Sequence, residues 1–172
     1  HVYETLVAAG EPIGLRHVGL KALGSLRLEK AYRDYGHDID NTDTLAMVGL
    51  GFAVAKDKPG QWIGREPTLA ALAAGPPSSR LVQVLLRDPQ ALLFHAEILL
   101  RDGVPVGDLR SGSFGWTLGG AVGLAMVTNP DGPATADWLA AGSWEVDIAG
   151  QRYAAQISLR PLYDPASVRP NS

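Results

Sequence analysis

The spacing of apolar residues changes character once along the chain, near residue 80. Upstream, apolar positions recur at helical intervals between joins marked by glycine and proline; downstream, they alternate. Val2, Leu6 and Ala9 open the chain as a short helical pattern with little nearby in sequence to pack against. Leu15, Val18, Ala22 and Leu26 predict an amphipathic helix over roughly residues 14–27. Gly19 and Gly24 weaken it, each by about 1 kcal/mol relative to Ala, and their bare backbones would allow a close neighbour on that face. A second helix is better marked. Pro67 suits a first helical position after Arg65-Glu66, Leu69-Ala-Ala-Leu-Ala-Ala continues it, and Gly75-Pro76-Pro77 ends it.

Beyond residue 80 the period is two. Leu81 to Leu86 reads as a mostly buried strand, and Val122 to Val127 as another. Residues 97–107 form a hairpin pattern around Asp102-Gly103, a pair that supplies the positive φ angles of a type I′ turn. Trp144, Val146 and Ile148 alternate with acids, and Ala149-Gly150 turns the chain into Tyr153–Leu159. The pattern predicts an α+β fold whose five or six short strands close a small antiparallel barrel or sandwich. Pro76-Pro77-Ser78-Ser79 is the expected boundary, dividing the chain into residues 1–77 and 78–172.

Composition narrows the chemistry. At 172 residues the chain is long enough for a sizeable core, and 46% hydrophobic with 19% charged residues is ordinary for a globular protein. A net charge of −3 gives no basic footprint for nucleic acid or an anionic membrane surface. Without cysteine there is no disulfide, thiolate metal site or cysteine nucleophile. The four histidines are scattered, with no ligand spacing. No apolar run reaches about 18 residues, so no membrane-crossing helix is expected; no leader pattern opens the chain, and a cytoplasmic location is the expectation. The opening His-Val-Tyr-Glu-Thr-Leu lacks Met, which suggests a fragment of a longer protein.

Several motifs fail on inspection. Ser111-Gly-Ser-Phe-Gly115 lacks the spacing of a nucleophile elbow. Gly49-Leu-Gly51 begins like a dinucleotide fingerprint but has no third glycine. Asp38-Ile-Asp40-Asn-Thr-Asp43 begins like a calcium loop, without the glycine at the sixth position or the glutamate at the twelfth.

Residues 26–44, Leu-Arg-Leu-Glu-Lys-Ala-Tyr-Arg-Asp-Tyr-Gly-His-Asp-Ile-Asp-Asn-Thr-Asp-Thr, carry a stronger signal. They resemble the L-R-L-E … Y-G-x-D-I-D … T-T segment of the glycine-cleavage T-protein (aminomethyltransferase) family. Gly49-Leu-Gly51-Phe with Lys56, and Ile63-Gly-Arg-Glu66, look like the stretch that follows. Gly-Val-Pro-Val-Gly, Ser-Gly-Ser-Phe, Thr-Leu-Gly and Gly-Leu-Ala-Met-Val within residues 103–127 look like that family's C-terminal barrel. Glu29 to Tyr35 and Pro161-Leu-Tyr-Asp-Pro165 are most similar to the folate-binding half of dimethylglycine and sarcosine dehydrogenases. In those flavoenzymes an FAD domain oxidises an N-methyl amine and the T-protein-like half passes the carbon to tetrahydrofolate. The resemblance therefore implies a tetrahydrofolate site here, with FAD and the N-methylated amine or aminomethyl donor handled by regions outside this chain, and with the rest of the polypeptide or another chain completing the fold. A stand-alone aminomethyltransferase and an interaction or regulatory module that has lost folate are the alternatives. The folate-dependent iron–sulfur-repair relatives carry a Cys motif that this chain lacks.

The resemblance also assigns roles. Glu29 falls at the pterin-binding Glu, where a carboxylate accepts a ring N–H and an amino group side by side; the plainer alternative is a solvated or salt-bridged Glu beside Lys30 and Arg33. Arg27 would orient Glu29 or bridge to the acidic loop Asp38–Asp43, the latter being an ordinary structural ion pair. Tyr35 and Tyr163 would stack on the ligand's rings or donate a hydroxyl, or else only pack. Lys56, with Lys58 and Arg65, would meet the anionic glutamate tail, or else occupy a solvated turn. His37 is a weak acid–base candidate, and Trp116 and Trp138 are read as packing or interface residues. Met47 stands where the family has a Glu, and the nearby Pro is replaced by Leu45; a thioether cannot accept a carboxylate's hydrogen bonds. The family's catalytic Asp belongs to the N-terminal half missing here, so no catalytic residue and no metal ligand is assigned.

Overall fold

The computed structural model describes residues 1–169. Helix α1 spans Val2–Gly10, α2 Leu20–Glu29, α3 Arg65–Ala73 and α4 Ala136–Ala141. The strands are β1 (Ser79–Leu86), β2 (Ile98–Arg101), β3 (Val104–Gly115), β4 (Gly120–Thr128), β5 (Trp144–Ile148) and β6 (Gln151–Ser158). They close into an antiparallel barrel in the order β1-β4-β3-β2-β5-β6, with β6 returning to β1. Closure leaves no sheet edge to be protected. Both tight hairpins turn as their sequences require: Asp102 and Gly103 have φ of 53° and 81°, and Ala149 and Gly150 have 53° and 86°.

β4 explains its own unbroken apolar run. Ala121, Ala125 and Val127 face the barrel interior with Val84, Leu99, Leu109 and Val146. Val122, Leu124 and Met126 face outward, where Leu28, Ala31, Val48 and Leu81 cover them. A strand buried on both faces has no reason to alternate. The outward cluster joins the N-terminal segment to the barrel, and Met47 belongs to it. Its side chain packs against that cluster, and its carbonyl accepts the Leu81 N–H at 2.9 Å.

The helix expected over 14–27 is displaced. Glu11–Ile13 forms a 3-10 turn closed by Gly14 in the left-handed region, and Gly19, in extended backbone, caps a helix that starts at Leu20. The expected apolar stripe is also not the buried one. Leu15, Val18 and Leu26 are about half exposed, whereas Ser25, Leu28 and Glu29 are buried. Among the described residues the barrel is the only strand layer beside α2, and it meets that helix on the Ser25–Leu28–Glu29 face. Among the described residues nothing packs closely on Gly19 or Gly24. Pro67 sits third in α3 rather than first, still within the turn whose N–H groups lack a helical acceptor.

β3 crosses β4 closely at Gly107. A methyl added there would press on the Met126 carbonyl oxygen and the Val127 backbone, which cannot swing aside. Gly107→Ala is expected to cost about 1–3 kcal/mol, the usual range for overpacking. At roughly 2–4 °C per kcal/mol for a chain of this size, thermal unfolding reads it directly, and an unchanged Tm contradicts the close crossing.

Candidate functional site

Helix α2 ends in a Schellman motif: Tyr32 N–H bonds back to Arg27 O, Ala31 N–H to Leu28 O, and Ala31 adopts φ of 52°. This stop fixes Glu29 in the last turn, against the turn between β3 and β4. Glu29 is 2% exposed. Its Oε1 accepts the backbone N–H of Thr117 (2.6 Å) and of Leu118 (3.1 Å), and its Oε2 accepts the Thr117 hydroxyl (3.0 Å). Gly115 leaves the room, since a Cβ there would lie 3.2 Å from Oε1. Ser25 adds a second tie, donating to Phe114 O at 2.6 Å. The plainer expectation of a solvated or salt-bridged Glu29 is therefore overturned: its hydrogen bonds go to the turn.

A carboxylate offers about four acceptor positions. Three are used here, and the open one is on Oε2, whose partner is a rotatable hydroxyl. Glu29 lines a cleft of about 380 Å³ between α2 and the end of β3, together with Lys21, Leu26, Phe114, Trp116 and Thr117. That volume lies within the range of about 300–1,000 Å³ common to small-molecule sites.

Arg27 points its guanidinium elsewhere. It pairs with the fully buried Asp38 and also donates to Tyr32 O (3.1 Å) and Ser111 Oγ (3.2 Å). Asp38 Oδ2 takes the Asp34 N–H as well, and Arg27, which also reaches Ser111 on β3, ties this loop to the barrel. Of the two roles weighed for Arg27, these bonds are those of the bridge to the acidic loop. The rest of that loop is spent locally: Asp40 accepts from Thr42 N and Oγ1, and Asp43 accepts from Asp40 N and lies 3.8 Å from Arg110. Among the described residues no group of three or more acidic, histidine or cysteine side chains is placed to hold a metal.

The C-terminal segment returns to the same helix end. Buried Gln83 donates to Leu28 O (2.7 Å) and Glu29 O (3.1 Å) and accepts Leu162 N–H (2.7 Å). Lys30 reaches across to Asp164 O (2.8 Å) and Oδ2 (3.1 Å). Tyr163, half-buried, is thus held between two anchors beside Glu29, although it does not line the Glu29 cleft. Tyr35 is 70% exposed on a short bridge to Ile39, and Lys56 is exposed on the turn after a 3-10 segment at Gly51–Ala53; neither lines that cleft. Exposed His37 pairs with Asp34 at 3.0 Å. Trp138 packs edge-on to Trp144 and under Arg101, as a packing residue does. Trp116 meets Phe114 edge-on but stays 82% exposed at the cleft. Sequence reasoning missed Thr117, Gln83 and Lys21. Only Gln83 left a signal, as the polar side chain within the apolar run Leu81–Leu86.

Burial acts to raise the Asp164 carboxyl, but the N–H of Val168, the Lys30 ammonium and the N–H of Arg169 together hold it below its ordinary value. A depressed carboxyl stabilises the fold above its unfolded pKa of about 3.9 and loses that contribution as pH falls through the lower folded value. Asp164→Asn is therefore expected to be less stable than the parent at pH 7. Urea midpoints should show the gap narrowing as pH falls below about 4; a gap of the same size at pH 7 and pH 3 contradicts the Lys30–Asp164 anchor.

Two family models match the chain: the glycine cleavage T-protein C-terminal barrel domain over residues 80–164, and the GCVT N-terminal domain over residues 1–58. A 4-methylaminobutanoate oxidase (formaldehyde-forming) of Paenarthrobacter nicotinovorans is 41% identical over 98% of the chain, which spans 20% of that protein. Human mitochondrial sarcosine dehydrogenase is 31% identical over 98% of the chain and 18% of its own length. The crystal structure of glycine cleavage system aminomethyltransferase T from Bartonella henselae superposes with a TM-score of 0.76 at 25% identity, covering 95% of this chain and 43% of that one. The chain thus corresponds to about a fifth of the oxidising relatives and under half of the transferase.

Proposed function

We propose that this chain, which belongs to the glycine-cleavage T-protein family, is the tetrahydrofolate-binding, aminomethyltransferase-like part of a one-carbon-transferring enzyme. The buried Glu29 carboxylate at the cleft between α2 and the β3–β4 turn carries the proposal. A reduced pterin presents an N–H and an amino group on one edge, and an ionised acceptor out of water binds such donors strongly. The open position on Oε2 takes one donor. The Thr117 hydroxyl gives way to the second by rotating, while the two backbone N–H bonds keep the carboxylate aimed. Tyr163, held beside the same helix end, and Tyr35 are secondary contacts that further ligand-contacting chain would bring into reach; Lys56 stays on an exposed turn outside the cleft, and Arg27 serves by fixing the loop.

When bound, tetrahydrofolate supplies the nucleophilic nitrogens that capture a one-carbon unit at the formaldehyde oxidation level. The chain's own contribution is to bind and orient that acceptor, which raises its effective concentration at the reacting carbon. The parent activity that fits best is oxidative demethylation of an N-methyl amino acid by an FAD-dependent dehydrogenase or oxidase, yielding methylene-tetrahydrofolate. The likeness to a formaldehyde-forming oxidase and to sarcosine dehydrogenase supports it. FAD and the methylated substrate would then be held by other polypeptide. Exposed apolar side chains on the N-terminal segment (Val2, Tyr3, Leu6, Ile13, Leu20, Leu23) offer a surface for the remainder of the fold. Calorimetric titration of the full polypeptide carrying these residues with tetrahydrofolate tests the proposal, with Glu29→Gln as the decisive variant. No heat from the parent protein would refute folate binding and favour an interaction module.

A further inference from the structure

Helix α2 presents one face to the cleft. Lys21, Ser25 and Glu29 lie on it at successive turns, i, i+4 and i+8. At about 1.5 Å per residue, the Lys21 and Glu29 backbones are roughly 12 Å apart along the axis. Ala22 and Leu26 put apolar surface between the two charges, and across the cleft stand Phe114 and Trp116. The Trp116 indole meets Phe114 edge-on, with centroids 5.0 Å apart and planes at 63°, and is otherwise open to solvent. Lys21 makes no ion pair among the described residues. A buried acceptor, an exposed flat ring and an unpaired cation therefore follow one another along a single groove.

That order matches one class of ligand: a donor-edged heteroaromatic ring joined through a second ring to an anionic tail. We propose that the cleft takes tetrahydrofolate lengthwise, with the pterin edge on Glu29, the ring system against Trp116 and the glutamate carboxylates at Lys21. This orientation rests on the folate proposal above and adds to it the two residues that set polarity and reach. It gives the tail to Lys21 on α2 rather than to Lys56, which lies outside the cleft. An exposed tryptophan has a role here, since a ligand ring covers apolar surface that the fold leaves in water.

Titrating two probes separates the parts: tetrahydrofolate itself and a tetrahydropterin without the aminobenzoyl-glutamate tail. Trp116→Ala is expected to weaken both by about 3- to 10-fold, as loss of an aromatic pair does, with Trp116→Phe restoring most of the affinity. Lys21→Gln is expected to weaken tetrahydrofolate by up to about 5-fold at low salt, the range of an exposed ion pair, and to leave the tail-less probe unchanged. Lys56→Gln should alter neither. Equal effects of Lys21→Gln on both probes, or a tail-specific effect at Lys56 instead, would overturn the orientation. So would unchanged binding in Trp116→Ala while Glu29→Gln abolishes it, a result that leaves the folate proposal intact. A parent protein that binds neither probe removes both.

Discussion

Glu29→Gln is expected to fold and to lose tetrahydrofolate. Glutamine keeps the size of the buried side chain, and its carbonyl oxygen still accepts the N–H groups of Thr117 and Leu118, which at 2.6 and 3.1 Å share one oxygen of the parent carboxylate. Its amide then faces the Thr117 hydroxyl, which has lone pairs to accept with. Stability should change little. Binding loses more, because the atom facing the ligand changes from an ionised acceptor to a donor. A hydrogen bond to a charged group contributes about 1.5–3 kcal/mol, so affinity should fall on the order of 100-fold at 1.4 kcal/mol per decade. Glu29→Ala is a different experiment. It removes the shared acceptor of two part-buried backbone N–H groups, at about 1–3 kcal/mol for each group left unsatisfied, while the Thr117 hydroxyl, on an exposed residue, can turn to water. Melting curves alongside calorimetry separate the two. A Glu29→Gln protein that melts normally and binds tetrahydrofolate like the parent would show that the carboxylate only braces the turn.

Arg27→Met should destabilise the fold more than Gly107→Ala or Asp164→Asn. Asp38 is fully buried, and one of its oxygens has no hydrogen-bond partner among the described residues. Its charge is paired directly with Arg27 and is also felt by Arg33, and removing one member of a buried pair typically costs about 3–5 kcal/mol because the other loses its direct partner. Arg27 keeps 18% of its side chain exposed, so the lower end, about 3 kcal/mol, is expected. Pairing Arg27→Met with Asp38→Asn should recover part of the loss, since a neutral amide needs no counter-ion. At a temperature where the single variant remains folded, its tetrahydrofolate affinity should fall far less than that of Glu29→Gln. A loss of affinity as large as Glu29→Gln, without loss of stability, would make Arg27 a direct ligand contact.

Much of the barrel was legible because strands and tight turns are local. Asp102-Gly103 and Ala149-Gly150 place glycine where φ must be positive, and the two-residue period survives wherever one face of a strand is buried. The helical half was read less well. Periodicity identifies an apolar stripe, not what covers it. In α2 the covered face carries Ser25 and Glu29, and the barrel holds both by hydrogen bonds, whereas Leu15, Val18 and Leu26 stay exposed.

Glu29 was singled out by the run of residues around it, but its burial and its partners lie about 88 residues away in sequence and leave no trace near it. Lys56 and Lys21 are equally unremarkable as sequence. The path of α2 puts Lys21 on the cleft, whereas Lys56 stays on an exposed turn outside it. By itself the sequence determined the family resemblance, the barrel's strands and turns, and the carboxylate to examine, because these are written in local spacing and residue type. The tertiary structure decided which face of α2 is buried, that Arg27 balances Asp38, and which side chains share a groove. The first and last of those depend on contacts between segments far apart in the chain, and even the Arg27–Asp38 pair forms only where the loop after α2 folds back on the helix.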